Sequence, residues 1–134
     1  MDRLATTLFT LTLTLASACG SGGTTNPNPT PTPGDVDIVK GAEFLTTTAF
    51  NPNPKQVSLG GGTEVTVRWV NTDGGGSYGG ASVAHQITSD NGAFAMSAPL
   101  GSGATYTVTL TAAGSYTYHC NIHPNMVGTI VVAP

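Results

Sequence analysis

The sequence predicts an all-β domain, a sandwich or barrel of short strands with little helix. Only 8% of the residues are charged, while 18 are Gly and 9 are Pro, a composition typical of strands joined by tight turns. Runs in which apolar and polar residues alternate recur about every 8–12 residues, with turn-forming residues between them. No stretch carries a convincing apolar repeat of 3.6 residues, which is the pattern of an amphipathic helix.

The clearest predicted strand covers residues 63–70. Val65, Val67 and Trp69 alternate there with polar residues, so they would share one face, and we interpret Trp69 as a core residue. Residues 71–84 contain two runs of glycine and are predicted to be a loop. The other strands are predicted, in chain order, at 36–39, 85–89, 105–110, 115–120 and 128–132, while residues 51–54 are predicted to form a turn and residues 55–59 lead into the glycines at 60–62.

An apolar, Thr-rich run from Leu4 to Ala18 opens the chain and is too short to span a membrane. We interpret residues 1–18 as a signal peptide, which predicts export from the cytoplasm. The sequence LASAC at 15–19 resembles the lipobox of bacterial lipoproteins, and the resemblance implies that Cys19 is the lipidated first residue of the mature protein. The alternative is ordinary cleavage near Ala18 without lipidation. With the lipid, the protein would be anchored to a membrane in the periplasm or at the cell surface.

Residues 19–34 form a second segment, a low-complexity linker rich in Gly, Thr and Pro. It has no charge and almost no apolar residue, so it cannot build a core and is predicted to be disordered. Pro at alternate positions favours extended polyproline II, which would make the linker a semi-rigid tether. The folded domain is predicted to cover residues 35–134. Because Cys19 and Cys120 each have a better local explanation, we expect no disulfide between them.

The stretch 118–126, YHCNIHPNM, offers the groups with the most distinctive chemistry in the chain. It presents a thiolate, an imidazole and a thioether at three-residue steps, on Cys120, His123 and Met126. A second imidazole, for which His85 is the natural candidate, completes the ligand set of a blue-copper site, which is two His, one Cys and a weak axial Met. The sulfur ligands suit Cu(I) and the imidazoles suit both oxidation states, so the set predicts one copper ion that can be held as Cu(I) or Cu(II).

The spacing of these ligands requires the chain to leave the strand. Residues three apart in an extended strand cannot reach one metal, so the loop after Cys120 must curl around the centre, and the fixed φ of Pro124 helps to set that curl. His119 should point to the opposite face of its strand, and we interpret it as a non-ligand. Zinc is the rival metal, but its four-ligand sites usually hold further Cys or His, and the thioether of Met126 favours copper.

The C-terminal stretch 115–132 resembles the signature of the cupredoxins, the plastocyanin and azurin family, and its Cys-x-x-His-x-x-Met loop is most similar to that of amicyanin. The stretches 69–73 and 85–90 resemble the segment that carries the first His ligand of the family. In several relatives the residue after this His is Asn, whereas here it is Gln86. The resemblance covers roughly residues 35–134. It implies a Greek-key β-sandwich with copper at one end and the function of a one-electron carrier.

The leading functional prediction is an electron carrier, a monomer that docks transiently with a redox donor protein and a redox acceptor protein near the exposed edge of His123. An enzyme is not expected. Copper nitrite reductases also place a His beside the ligand Cys, as His119 is here, but their catalytic copper needs further histidines and this chain has only 3. The alternatives are copper storage or delivery, or a structural sandwich on the cell surface. The net charge of -3 gives no electrostatic footprint for nucleic acid, so no nucleic-acid partner is expected.

Overall fold

The computed structural model describes residues 35–74 and 82–134. The predictions for the signal peptide, the linker and Cys19 lie outside these residues, as does the centre of the glycine-rich loop. Within the described part, the regular structure is almost entirely β. It comprises β1 (Val36–Ile38), a turn of 3-10 helix (Ala42–Phe44), β2 (Phe50–Asn51), β3 (Lys55–Ser58), β4 (Val65–Asn71), β5 (Ile87–Ser89), β6 (Thr105–Leu110), β7 (Gly114–Cys120) and β8 (Val127–Ala133). No helix described here is long and apolar enough to cross a membrane.

The strands of the described residues form two four-stranded sheets, ordered β2-β1-β4-β6 and β3-β8-β7-β5. Both sheets are mixed. β1 pairs with β4 and β3 pairs with β8 in parallel, whereas the other neighbours pair antiparallel. One core cluster takes buried side chains from both sheets. The domain is therefore an all-β sandwich, which confirms the predicted fold class.

The strand β5 is shorter than predicted. It begins at Ile87, whereas the alternating pattern predicted a start at His85. His85 instead exchanges two backbone hydrogen bonds with Leu100, at 3.0 and 2.7 Å, as an isolated bridge. Gln86, the residue between His85 and Ile87, donates its backbone N–H to the sulfur of Cys120 on β7 and not to a backbone carbonyl. The chain therefore changes partners at this point, and His85 is held by a different segment from the strand that follows it.

The part of the core next to the predicted copper ligand Cys120 is built from aromatic rings. Trp69 is fully buried, as predicted, and its ring meets that of Tyr118 edge-on, with centroids 5.2 Å apart and planes at 84°. Phe50 packs against the same Tyr118 ring with a centroid distance of 4.9 Å. Pairs in this geometry contribute about 0.5–1.5 kcal/mol beyond their burial. Because Tyr118 and Cys120 lie two residues apart on β7, the packing that holds Tyr118 also turns Cys120 into the core.

Gly128 lies directly opposite Tyr118 in the β7–β8 pair, and the Tyr118 ring crosses over it. A Cβ at position 128 would lie 2.3 Å from Cζ of Tyr118, far inside any allowed contact. We expect Gly128→Ala to lower the free energy of unfolding by about 1–3 kcal/mol, the usual cost of overpacking a core, because Trp69 and Phe50 prevent the ring from moving away. Urea unfolding followed by Trp fluorescence measures this change.

The matched control for this substitution is Gly101→Ala. A Cβ at position 101 would meet nothing within 4 Å, so this variant should be as stable as the parent protein or slightly more stable. Equal unfolding midpoints for the two variants would contradict the proposed clash at Gly128.

Candidate metal centre

Three of the predicted ligands meet at one end of the sandwich. The ligand atoms of His85, Cys120 and His123 all lie within 4.8 Å of one another. The Sγ atom of Cys120 is 3.8 Å from Nδ1 of His85 and 3.8 Å from Nδ1 of His123. A thiolate and an imidazole bound to one metal, at about 2.3 and 2.0–2.1 Å, are about 3.8 Å apart when the angle at the metal is about 120°. The spacing therefore fits a trigonal arrangement of one sulfur and two nitrogens around a single ion.

The fourth predicted ligand, Met126, is fully buried at the end of the same loop and lies close to the other three. The loop closes on itself through the backbone. The N–H of Cys120 donates to the carbonyl of Met126 at 3.0 Å, and the N–H of Met126 donates to the carbonyl of His123 at 2.9 Å. The amide of Asn125 ties the loop to the rest of the domain by donating to the carbonyl of Leu45 at 2.7 Å. The curl that the spacing predicts is thus built from hydrogen bonds within the loop.

His85 is oriented from behind by a carboxylate. Its Nδ1 faces the thiol, while its Nε2 lies 3.2 Å from Oδ2 of Asp73, and both side chains are buried. A proton on Nε2 that is donated to Asp73 leaves the lone pair of Nδ1 for a metal, an arrangement common among metal-binding histidines. The other oxygen of Asp73 accepts the backbone N–H of Gly41 at 3.1 Å, which fixes the carboxylate in turn.

Asp73 was not predicted to have a role, because it follows a strand and enters a glycine-rich stretch. The available signal was weak. A single acidic residue stands between the end of a buried strand and a candidate histidine ligand, and a surface loop would present the same pattern.

Hydrogen bonds to the sulfur of Cys120 favour the thiolate form, which binds metals. Burial raises the pKa of this thiol, but hydrogen bonds from His85, from the backbone N–H of Gln86 and from His123 outweigh burial and lower the pKa to about 6. Burial likewise opposes the charged form of His85, yet its hydrogen bonds to Cys120 and Asp73 raise its pKa. At neutral pH the thiol is therefore largely thiolate, which is the form that binds metals.

Gln86 is clamped so that its backbone N–H reaches the sulfur of Cys120, at 3.3 Å. Asn121, which follows the cysteine, donates its backbone N–H to the carbonyl of Gln86 at 2.7 Å and its side-chain amide to Oε1 of Gln86 at 2.9 Å. The amide of Gln86 then donates to the carbonyl of Ser97 at 2.9 Å. The glutamine thus links the segments that carry His85 and Cys120.

His119 lies on the opposite face of β7 from Cys120 and outside the ligand group. Its Nδ1 is 2.6 Å from Oδ1 of Asp90, and the side chain is partly exposed. Cys120 is a free, buried thiol. These positions agree with the interpretation of His119 as a residue that does not bind the metal.

A family model described as a cupredoxin-like domain matches residues 36–132. The chain belongs to this family. Among solved structures it is similar to a purple cupredoxin from Nitrosopumilus maritimus, with 28% identity, a TM-score of 0.59 and coverage of 74% of this chain and 98% of that one. It is also similar to the reduced Cu(I) form of an amicyanin variant, with 25% identity, a TM-score of 0.54 and coverage of 73% and 79%. The oxidised state of a further amicyanin variant gives 25% identity, a TM-score of 0.52 and coverage of 76% and 85%. Among curated proteins, none matches this chain significantly.

The donor set of this cupredoxin fits one type 1 copper ion. A thiolate and two imidazoles converge at trigonal spacing, and a buried thioether stands beside them. Such a set of soft sulfur and imidazole donors is the one that blue-copper sites use, and a thioether is a poor ligand for zinc. The predicted cofactor is therefore confirmed, and copper is favoured over the rival zinc.

The carboxylate behind His85 should favour Cu(II), which carries one more positive charge than Cu(I). We expect Asp73→Asn to shift the ratio of Cu(II) affinity to Cu(I) affinity by about tenfold, which raises the midpoint potential by about 59 mV. Redox titration of the visible band, in buffer cleared of other metals, measures the change. Asp90→Asn, which removes a carboxylate beside the non-ligand His119, is the control and should leave the potential nearly unchanged. A potential that is the same in Asp73→Asn and the parent protein would contradict the prediction.

Proposed function

We propose that this cupredoxin carries single electrons between a redox donor protein and a redox acceptor protein outside the cytoplasm. The observation that carries the proposal is the convergence of a low-pKa thiolate with two imidazoles, each 3.8 Å from the sulfur, in a site built by the fold. Copper, when bound, supplies the one-electron Cu(II)/Cu(I) couple. The protein would take one electron from a reduced donor and pass it to an oxidised acceptor, with no bond made or broken.

The chain's own residues do two things for such transfer. Cys120, His85 and Met126 are fully buried, so they exclude water from the metal, and the hydrogen bonds around them restrain their movement. Ligands that barely move between the two oxidation states keep the reorganisation energy low. His123 is only partly buried, so its ring is the natural route by which an electron enters or leaves.

An apolar surface near His123 is suited to transient docking. Ile122, its neighbour in the loop, is 44% exposed, and Phe44 is 84% exposed at the end of the 3-10 helix that Asn125 ties to the loop. Large apolar side chains at the centre and a small contact area are typical of interfaces that form and dissociate quickly. This surface supports the proposal of weak, short-lived complexes.

Ile122→Lys should slow electron exchange without changing the copper site. Self-exchange between two copies requires the exposed faces near His123 to meet, and two added lysines would repel each other there. We expect the self-exchange rate, measured by NMR line broadening in mixtures of oxidised and reduced protein, to fall by at least about tenfold. Thr111→Lys, an exposed position between β6 and β7, adds the same charge elsewhere and should leave the rate nearly unchanged. Equal rates in the two variants would place the contact on another face.

The decisive experiment adds Cu(II) to the domain from Asp35 onward and records visible and EPR spectra. An intense thiolate-to-copper band, a narrow copper hyperfine splitting and fast self-exchange are expected for a carrier. The same spectra with very slow exchange would favour copper storage or delivery. A colourless protein with ordinary tetragonal Cu(II) signals would overturn the proposal.

We also propose that the protein is exported and anchored through a lipid on Cys19, in the periplasm or at the cell surface. The lipobox-like sequence at 15–19 and the Pro-rich linker after it support this proposal. In the native host, Cys19→Ala should move the protein from the membrane fraction to the soluble fraction. A parent protein that is already soluble, with a mature N-terminus near Ala18 by mass spectrometry, would favour simple cleavage.

A further inference from the structure

A second group of metal-binding atoms lies on the far side of His85. Glu43, Asp73 and His85 each offer one ligand atom, and these atoms lie within 4.8 Å of one another. The nitrogen involved is Nε2 of His85, because Nδ1 faces Cys120. Three separate segments meet here, namely the 3-10 helix, the residues after β4 and the bridge before β5.

The spacing between Asp73 and His85, described above as a hydrogen bond, is also the spacing of two ligands on one cation. Oδ2 of Asp73 is 3.2 Å from Nε2 of His85. Two ligand atoms of a tetrahedral zinc ion, at about 2.0–2.1 Å from the metal, are about 3.3 Å apart. The remaining oxygen of Asp73 accepts the N–H of Gly41, the residue before the 3-10 helix, and so holds the helix that carries Glu43 against the site.

The side chain of Glu43 has an unsatisfied polar atom beside this group. Its Oε2 atom is buried and has no hydrogen-bond partner. Burying a carboxylate without a partner costs free energy of folding, so a proton donor or a cation bound to this oxygen would stabilise the protein. Among the residues that the structure describes, no Lys or Arg forms an ion pair with Glu43 or Asp73.

The charges around copper point the same way. Cu(II) and the Cys120 thiolate together carry a net charge of one positive unit. Adding the carboxylates of Glu43 and Asp73 changes that net charge to one negative unit. A divalent cation bound to both carboxylates and to Nε2 of His85, with release of the Nε2 proton to solvent, would bring the total to zero. The imidazole would then bridge the two metals.

We propose that Glu43, Asp73 and His85 form a second metal site that binds one Zn²⁺ ion, with His85 shared between zinc and copper. One imidazole, two carboxylates and a water would make a four-coordinate zinc site, and the absence of sulfur from these three ligands disfavours Cu(I). The site does not depend on electron carriage. The effect of zinc on the copper couple does rest on the proposed function. Zinc would place positive charge beside copper and so shift the ratio of Cu(II) affinity to Cu(I) affinity toward Cu(I) by tenfold or more.

The test uses the copper-loaded protein, dialysed against excess zinc chloride and then against zinc-free buffer, with metals counted by mass spectrometry. One copper and one zinc per chain are expected for the parent protein, with the visible band retained. Glu43→Gln should keep the copper and the band but lose the zinc. Glu64→Gln, at an exposed position just before β4 and at the end of that strand away from Asp73, is the matched control and should keep both metals.

The copper-free Cys120→Ser variant separates this proposal from the proposed function. It cannot form the blue site, yet it should still bind zinc, and adding Glu43→Gln to it should weaken zinc binding at least tenfold. The proposal is overturned if the copper-loaded parent holds no more zinc than Glu43→Gln. It is equally overturned if zinc enters only as copper and the visible band are lost, because zinc would then occupy the copper site.

Discussion

Cys120→Ala is expected to abolish both the intense visible band and the narrow copper hyperfine splitting. Both signatures require a thiolate bound to Cu(II), and the other cysteine of the chain, Cys19, belongs to the N-terminal segment. The imidazoles of His85 and His123 remain, so the variant should bind Cu(II) as an ordinary tetragonal site. Removal of a residue that only hydrogen-bonds to a metal ligand typically lowers metal affinity by about 10–100-fold. The affinity of Cys120→Ala for copper should fall by more than this, because a ligand itself is lost.

The matched control for this loss is His119→Ala, at the adjacent position on the opposite face of β7. It removes an imidazole that bonds Asp90 and lies outside the ligand group, so both spectroscopic signatures should persist. Absorption and EPR spectra of the two variants, recorded at equal copper content, make the comparison. A visible band that survives in Cys120→Ala, or disappears in His119→Ala, would show that the sulfur and nitrogen ligands are wrongly assigned.

The copper-free protein should become more stable, relative to Cys120→Ser, as the pH rises from 6 to 9. The pKa of the Cys120 thiol falls from an ordinary value of 9.0 to about 6 on folding. A lowered pKa in the folded state contributes stability that is complete above the unfolded value and is lost as the pH falls through the folded value. The difference corresponds to about 4 kcal/mol at most, since each pKa unit is worth about 1.36 kcal/mol.

The shifted pKa of His85 changes stability with pH in the opposite direction. Its pKa is raised in the folded state, so its contribution is complete below the unfolded value and is lost as the pH rises through the folded value. It will therefore offset part of the gain from the thiolate. Urea unfolding of the metal-free parent and of Cys120→Ser, at several pH values between 5.5 and 9, measures the gap between them. A gap that does not change with pH would contradict a low pKa for this thiol.

Features that depend on neighbouring residues were predictable from the sequence. Alternation of apolar and polar side chains placed β6 at Thr105–Leu110 and located Trp69 in the core. The three-residue spacing of Cys120, His123 and Met126 predicted a curled loop, and the backbone bonds of that loop produce it. Such features follow from strand geometry and from the reach of a short loop, which do not require knowledge of the rest of the fold.

The distant groups that surround the metal site come together only in the folded domain. His85 is 35 residues from Cys120 and 12 from Asp73, and Glu43 reaches the same histidine from a helical turn on another segment. No local pattern marks these partners, because a lone acidic residue near a loop is normally solvated. Gln86 illustrates the same limit, since its N–H leaves the strand pattern to reach a sulfur brought close only when the β5–β7 pair forms. The ligand loop is thus a local property of the chain, whereas the hydrogen bonds and charges that tune it arise from long-range packing.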